Sequence, residues 1–234
     1  MKILFKFPTR KRPNIFFNTL DLYYRLLSHK HDFQFNITMD YDDDTMNNSR
    51  IWERLDQYKN LKYCYGFSKN KIEAVNANVD NEDFSILVLL SDDMIPIVHG
   101  YDDIICNDMM QYFPDLDGSL FYNDGRVGNA ICTLSIMSYK LYHRFGYIYH
   151  PDYISLWCDN EYTDVAQSWG KMVYIDKIII KHGWENITKH DPLFKHNQNF
   201  YERDKVVYYT RKAKGFPKES IGNITVHMPR SKRP

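Results

Sequence analysis

Along this chain the hydrophobic positions switch between a period of two and a period near 3.6, and each switch marks an element. Lys2 to Phe7 reads as a strand closed by a donor-rich turn, Pro8-Thr9-Arg10-Lys11-Arg12-Pro13. Phe16, Phe17, Leu20, Tyr23, Tyr24 and Leu27 then recur at helical spacing, with Pro13 suited to a helix's first turn. Phe33, Phe35, Ile37 and Met39 alternate inward along a second strand that ends in the acidic run Asp40 to Asp44. A helix over Thr45 to Tyr58, a strand over Leu61 to Tyr65 and a helix over Lys71 to Ala77 lead to a short apolar strand, Ile86 to Leu90. Strands separated by helical patterns predict right-handed crossovers and a mainly parallel sheet.

The second half is less regular. A helix is expected over Tyr101 to Phe113, strand-like pieces near Leu120 and Thr133 to Ile136, and a helix over Asp159 to Trp169. In that last helix Tyr162, Val165, Ala166 and Trp169 form one apolar stripe, with Asp159 suited to cap its start and Gly170 to end it. Val173 to Lys181 reads as a strand leading into His182-Gly-Trp184, and Phe200 to Arg211 as a final amphipathic helix. One α/β domain over residues 1–217 and a basic tail over residues 218–234 are expected.

At 234 residues and 44% hydrophobic content the chain can bury a full core. Its 30 Lys and Arg balance 30 Asp and Glu, so no overall field exists to hold a polyanion, and nucleic acid is not expected as a partner. The four cysteines stand far apart with no Cys-x-x-Cys, which argues against a zinc ribbon or a disulfide framework and points to a reducing, cytoplasmic setting. No apolar run reaches the roughly 18 residues of a membrane-spanning helix. The aromatic excess follows the Tyr, Asn, Lys and Ile enrichment of a nucleotide-composition bias and carries no functional weight.

The chemistry concentrates where strands end. Asp92 and Asp93 follow an apolar strand directly, and in open α/β sheets ligands bind outside the carboxyl ends of the strands. Two adjacent carboxylates repel unless a cation neutralises them, and a hard ion such as Mg²⁺ or Mn²⁺ suits oxygen ligands; the alternative is an Asp pair capping the next element. Thr9, Arg10 and Arg12 follow the first strand and Asp40 the second. An Arg can donate two parallel hydrogen bonds to phosphate, and a carboxylate can accept from a base N–H or from ribose. On a helical wheel Asp159 and Glu161 flank the buried stripe and could face a cleft, while Asp164 points away.

The order of these features resembles the GT-A glycosyltransferases, and most closely their family 2-like, nucleotide-sugar-dependent members, over roughly residues 1–185. The resemblance implies a single GT-A-like, Rossmann-like α/β domain that moves a sugar from a nucleoside-diphosphate donor, UDP-linked, to a carbohydrate or other hydroxyl acceptor with inversion. It assigns Thr9, Arg10, Arg12 and Asp40 to the nucleotide, with Lys71 and Asn76 at the family's basic and Asn positions. Ser91-Asp92-Asp93 resembles the DxD motif with Ser in place of the first acid; Asp92 would face ribose and Asp93 hold Mn²⁺ or Mg²⁺, completed by His182. Asp159, with Glu161 close behind, matches the stretch that supplies the catalytic base. Gly118 to Thr133 would form the acceptor side, where Asp117, Tyr122 and Asp124 are candidates for sugar hydroxyls or plain turn residues. Two other classes remain open: a metal-dependent nucleotidyltransferase, disfavoured by the lack of a glycine-rich phosphate loop, and a catalytically silent nucleotide-sugar-binding module.

Overall fold

The computed structural model describes residues 1–183, 191–217 and 228–229. Strand β1 (Lys2–Pro8) lies at the centre of the sheet, between β2 (Asp32–Asp40) and β4 (Ile86–Leu89), with β3 (Leu61–Gly66) beyond β2, all four parallel. Beyond β4 come β7 (Ile136–Ser138), β6 (Ser119–Tyr122) and β8 (Met172–Ile175), and the two residues of β10 (Met228–Pro229) pair antiparallel to the outer edge of β3. Among these strands only β7 and β10 run against the rest, so the expected mainly parallel α/β sheet is present. A separate ribbon pairs β5 (Met94–Pro96) with β9 (Ile180–His182).

The sheet is covered on both faces, which is why its central strands read as continuous apolar runs. Alternation decides which residue faces which layer. Phe5, Phe7, Phe35, Ile37, Ile86 and Val88 pack against helices α1 (Pro13–Leu26) and α4 (Tyr101–Tyr112) through Phe16, Leu20, Tyr23 and Ile105. Leu4, Leu87, Phe121 and Met137 point the other way, to α3 (Lys71–Asn76), α5 (Tyr139–Phe145), α6 (Cys158–Ser168) and α8 (Tyr201–Ala213). All four cysteines are buried thiols.

Several boundaries differ from the sequence reading for local reasons. The helix expected over Thr45 to Tyr58 narrows to α2 (Ser49–Leu55), because Asn48 accepts the Ile51 N–H and caps it there. The single strand expected over Val173 to Lys181 is two, β8 and β9, in different sheets. Strand β5, helix α5 and helix α7 (Pro192–Gln198) are short elements that periodicity alone does not reveal. At the start of α6, Trp157 rather than Asp159 is the capping residue. It takes a left-handed φ of 63°, a costly conformation for a bulky side chain, and its ring packs among Tyr201, Tyr208 and Tyr209 of α8. Trp184 and the side chains of the basic tail lie outside the described residues.

Candidate active site

The carboxyl ends of β1, β2 and β4 form one rim. Thr9 Oγ1 donates to Asp92 Oδ1 at 3.0 Å, and Arg12 bridges Asp92 Oδ2 (3.4 Å) and Asp191 Oδ1 (2.9 Å), the residue that caps α7. Arg10 donates to Asp40 at 2.6 Å and in bidentate fashion to Asp42 at 2.7 and 2.9 Å. The other oxygen of Asp40 accepts the Ser68 N–H. Asp92 is buried, and loss of solvent lifts its carboxyl to about 7 despite Arg12 and Thr9. Its carboxylate is engaged by Thr9 and Arg12.

Asp93 meets His182 because β5 and β9 pair in antiparallel register, Met94 opposite His182. The Gly183 N–H donates to the Asp93 carbonyl at 2.7 Å, and His182 Nε2 stands 3.8 Å from Asp93 Oδ2. Ser91 Oγ donates to Asp93 Oδ1 at 2.6 Å, so the residue in place of the first acid orients the carboxylate. Burial lowers the His182 pKa, with Asp93 opposing, which favours the neutral imidazole a metal needs. Among the described residues no three His, Cys, Asp or Glu side chains gather as a ready metal cluster.

Asp159 occupies the first turn of α6 and is half-buried. Burial raises its pKa while the Lys71 charge pulls the other way, and the same Lys71 charge acts on His182. Lys71 is the first residue of α3, just past the carboxyl end of β3, and so stands at the same edge of the sheet. Glu161 does not share that cleft, contrary to the wheel. Its carboxylate, 3% exposed, accepts from Arg211 Nε (2.8 Å) and Nη2 (3.0 Å) of α8 and from Tyr153 Oη (2.8 Å). The wheel gave the direction of Glu161 but could not show that another helix covers it.

Asn76 is likewise corrected. It is buried, accepts from the Ile148 and Tyr149 N–H groups at 3.0 and 3.1 Å and donates to the Tyr149 carbonyl at 2.6 Å, so it ties a loop to α3 and does not face the rim. Of the acceptor-side candidates, Asp117 is paired with Arg144 and Lys171, Tyr122 donates to Asp108, and Asp124 holds its own loop. Asp204, missed by sequence reasoning, is fully buried and accepts the N–H groups of Ile154, Ser155 and Leu156, fixing the segment that delivers Asp159. An acid inside a helix predicted to be amphipathic was the available signal. An open cleft of about 480 Å³ lies at the opposite, amino-terminal edge of β4, but its acids are engaged: Asp80 with Tyr142, Asp83 with Lys2, Glu82 with Gln34 and Lys62.

No family model matches the chain, and no curated protein matches its sequence. Solved structures do. A mannosyltransferase from Pyrobaculum calidifontis, in complex with GDP-Man and Mn²⁺, superposes with a TM-score of 0.67 at 13% identity, covering 93% of this chain and 65% of that one. Residues 1–349 of S. aureus TarS give 0.62 at 15%, covering 78% and 60%, and the same protein in complex with UDP-GlcNAc gives 0.60 at 14%, covering 77% and 58%. A 4-diphosphocytidyl-2C-methyl-D-erythritol synthase from Anaerococcus prevotii gives 0.53 at 12%, covering 86% and 96%. The chain spans about 60 to 65% of the first two of these proteins. The fold is that of the GT-A glycosyltransferases, as the sequence resemblance implied. No helix among the described residues is long and apolar enough to cross a membrane.

Proposed function

We propose that the chain is a nucleotide-sugar transferase that moves a sugar from a UDP-linked donor to a hydroxyl acceptor with inversion at the anomeric carbon. The observation that carries this reading is the meeting of Asp93 and His182 just past the carboxyl end of β4, brought about by the β5 and β9 pairing. The neighbours' complexes with UDP-GlcNAc and with GDP-Man and Mn²⁺ support the donor class.

Asp93 and His182 offer one carboxylate oxygen and one imidazole nitrogen, a donor set that fits Mn²⁺ and, less well, Mg²⁺. When bound, such an ion offsets the charge that grows on the departing nucleoside diphosphate. The chain's own residues do the rest. Asp40 accepts from the base, and Arg10, released from Asp40 and Asp42, turns its fork to phosphate oxygens. Thr9 and Arg12 act through Asp92, fixing the loop after β1. Asp159, its pKa raised by burial, takes the acceptor hydroxyl proton as that oxygen attacks, a role for which a raised carboxyl is suited. Inversion needs a single carboxylate, and Glu161 is held by Arg211.

A second reading, nucleotidyl transfer, is favoured by one observation: the synthase neighbour is covered over 96% of its length. Product analysis separates the two. Incubation with a panel of nucleotide sugars and Mn²⁺ should release UDP, and Asp159→Asn should lower that turnover on the order of 10²- to 10⁴-fold while UDP still binds. Asp93→Ala should abolish the Mn²⁺-dependent part of UDP affinity. Pyrophosphate release from nucleoside triphosphates, with no UDP released from any sugar, would overturn the transferase reading.

A further inference from the structure

Asp124 is a buried carboxylate engaged within its own loop. One oxygen accepts the Arg126 and Val127 N–H groups, each at 2.8 Å, and the other accepts Thr133 Oγ1 at 2.8 Å. Its carbonyl accepts the His182 N–H at 2.8 Å, so the loop after β6 is pinned to β9. This arrangement sets the Arg126 guanidinium beside the imidazole, Nη1 at 3.5 Å from His182 Nδ1, while the far side of the ring faces Asp93. His182 therefore stands between an exposed cation and a carboxylate. Lys71, which opens α3 just past the carboxyl end of β3, is a second exposed cation at this edge of the sheet.

A donor diphosphate brings about two negative charges. Ser91 donates a hydrogen bond to Asp93 and adds no charge of its own, and no cluster of three ligands gathers among the described residues. Among the described residues a divalent ion would have few protein ligands to hold it, whereas two protein cations stand at the same edge of the sheet. An Arg offers phosphate a planar fork of donors and stays charged at every working pH.

We propose that Arg126, together with Lys71, binds the donor's diphosphate directly and shares the charge neutralisation with any cation held by Asp93 and His182. The inference rests on the nucleotide-sugar reading. Calorimetric titration of UDP and of uridine into wild type, Arg126→Ala, Arg126→Lys and Lys71→Ala, each with Mn²⁺ and with EDTA, tests it. Arg126→Ala should weaken UDP by about 10- to 100-fold in both conditions, the loss of charge-assisted hydrogen bonds, and leave uridine unchanged. Arg126→Lys should recover part of the loss, and Lys71→Ala should weaken UDP in the same two conditions. Because the Arg126 side chain is exposed, its variants should melt with wild type, which keeps a binding loss interpretable. UDP affinity within twofold of wild type in Arg126→Ala overturns the inference alone. A loss confined to Mn²⁺ also overturns it, since Arg126 would then act only through His182. Wild type that binds no nucleotide removes both the nucleotide-sugar reading and this one.

Discussion

Asp159 and Glu161 share the first turn of one short helix, yet replacing each should fail in opposite ways. Glu161 is 3% exposed and Arg211 4%, and they share two hydrogen bonds at 2.8 and 3.0 Å that join α6 to α8. Glu161→Gln leaves the buried guanidinium with only the half-exposed Asp152, 3.1 Å from Nη1, as a compensating charge. Breaking one side of such a pair costs about 3 to 5 kcal/mol, which for a chain of this size is a fall in melting temperature of about 6 to 20 °C. Turnover measured well below that transition should stay within about threefold, because Glu161 is buried against Tyr153 and Arg211 and the Asp159 carboxylate is untouched. Asp159→Asn should show the reverse, an unchanged melt and a large loss of turnover. Glu161→Leu combined with Arg211→Met should recover much of the stability, since an apolar pair removes both charges at once, and the coupling in that cycle should exceed about 1 kcal/mol. Calorimetry and a UDP-release assay on the same preparations suffice. A Glu161→Gln variant that melts with wild type and loses turnover on the order of 10²-fold or more would refute the assignment and move the base to Glu161.

Other outcomes test other links. Lys6 is fully buried on β1 with Nζ donating to Thr38 Oγ1 at 3.0 Å, and desolvation brings its pKa from 10.5 down to about 7. Between those values the unfolded chain binds the proton and the folded chain does not, so this contribution to stability rises with pH and is lost as pH falls toward 7. Lys6→Met should be the more stable protein at pH 7, and urea titrations at pH 7 and 9 should show its advantage shrinking by about 2 kcal/mol; an advantage independent of pH would contradict the cause given. Asp204→Ala removes the acceptor of three backbone N–H groups and should cost about 3 kcal/mol, with faster hydrogen exchange confined to residues 153–158; unchanged exchange there would show that the segment is held by other means.

Much of the fold is legible from the chain because it depends on short-range pattern. The alternation of Phe33 to Met39, the stripe on α6 and the apolar run into Asp92 and Asp93 are local, and the rule that ligands sit at the carboxyl ends of strands converts them into a rim. Thr9, Arg10, Asp40 and Asp93 could be expected there because each stands at, or within four residues of, the carboxyl end of a strand. Asn76 and Glu161 were misread because a side chain's role depends on what covers it. A helical wheel gives a direction and does not say whether solvent, a loop or another helix lies along it.

What the sequence determined by itself was therefore the layered α/β sheet and the strand ends that carry acids and cations. Only the tertiary structure decided which of them meet. Asp93 reaches His182 through the β5 and β9 ribbon across 89 positions of chain, from 93 to 182, and Arg126 reaches the same imidazole through a loop pinned by Asp124. Glu161 leaves the site for Arg211, 50 positions away. Pairings at such separation are set by how the whole core closes, since each is worth a few kcal/mol and becomes favourable only after packing has met the entropy of bringing distant segments together.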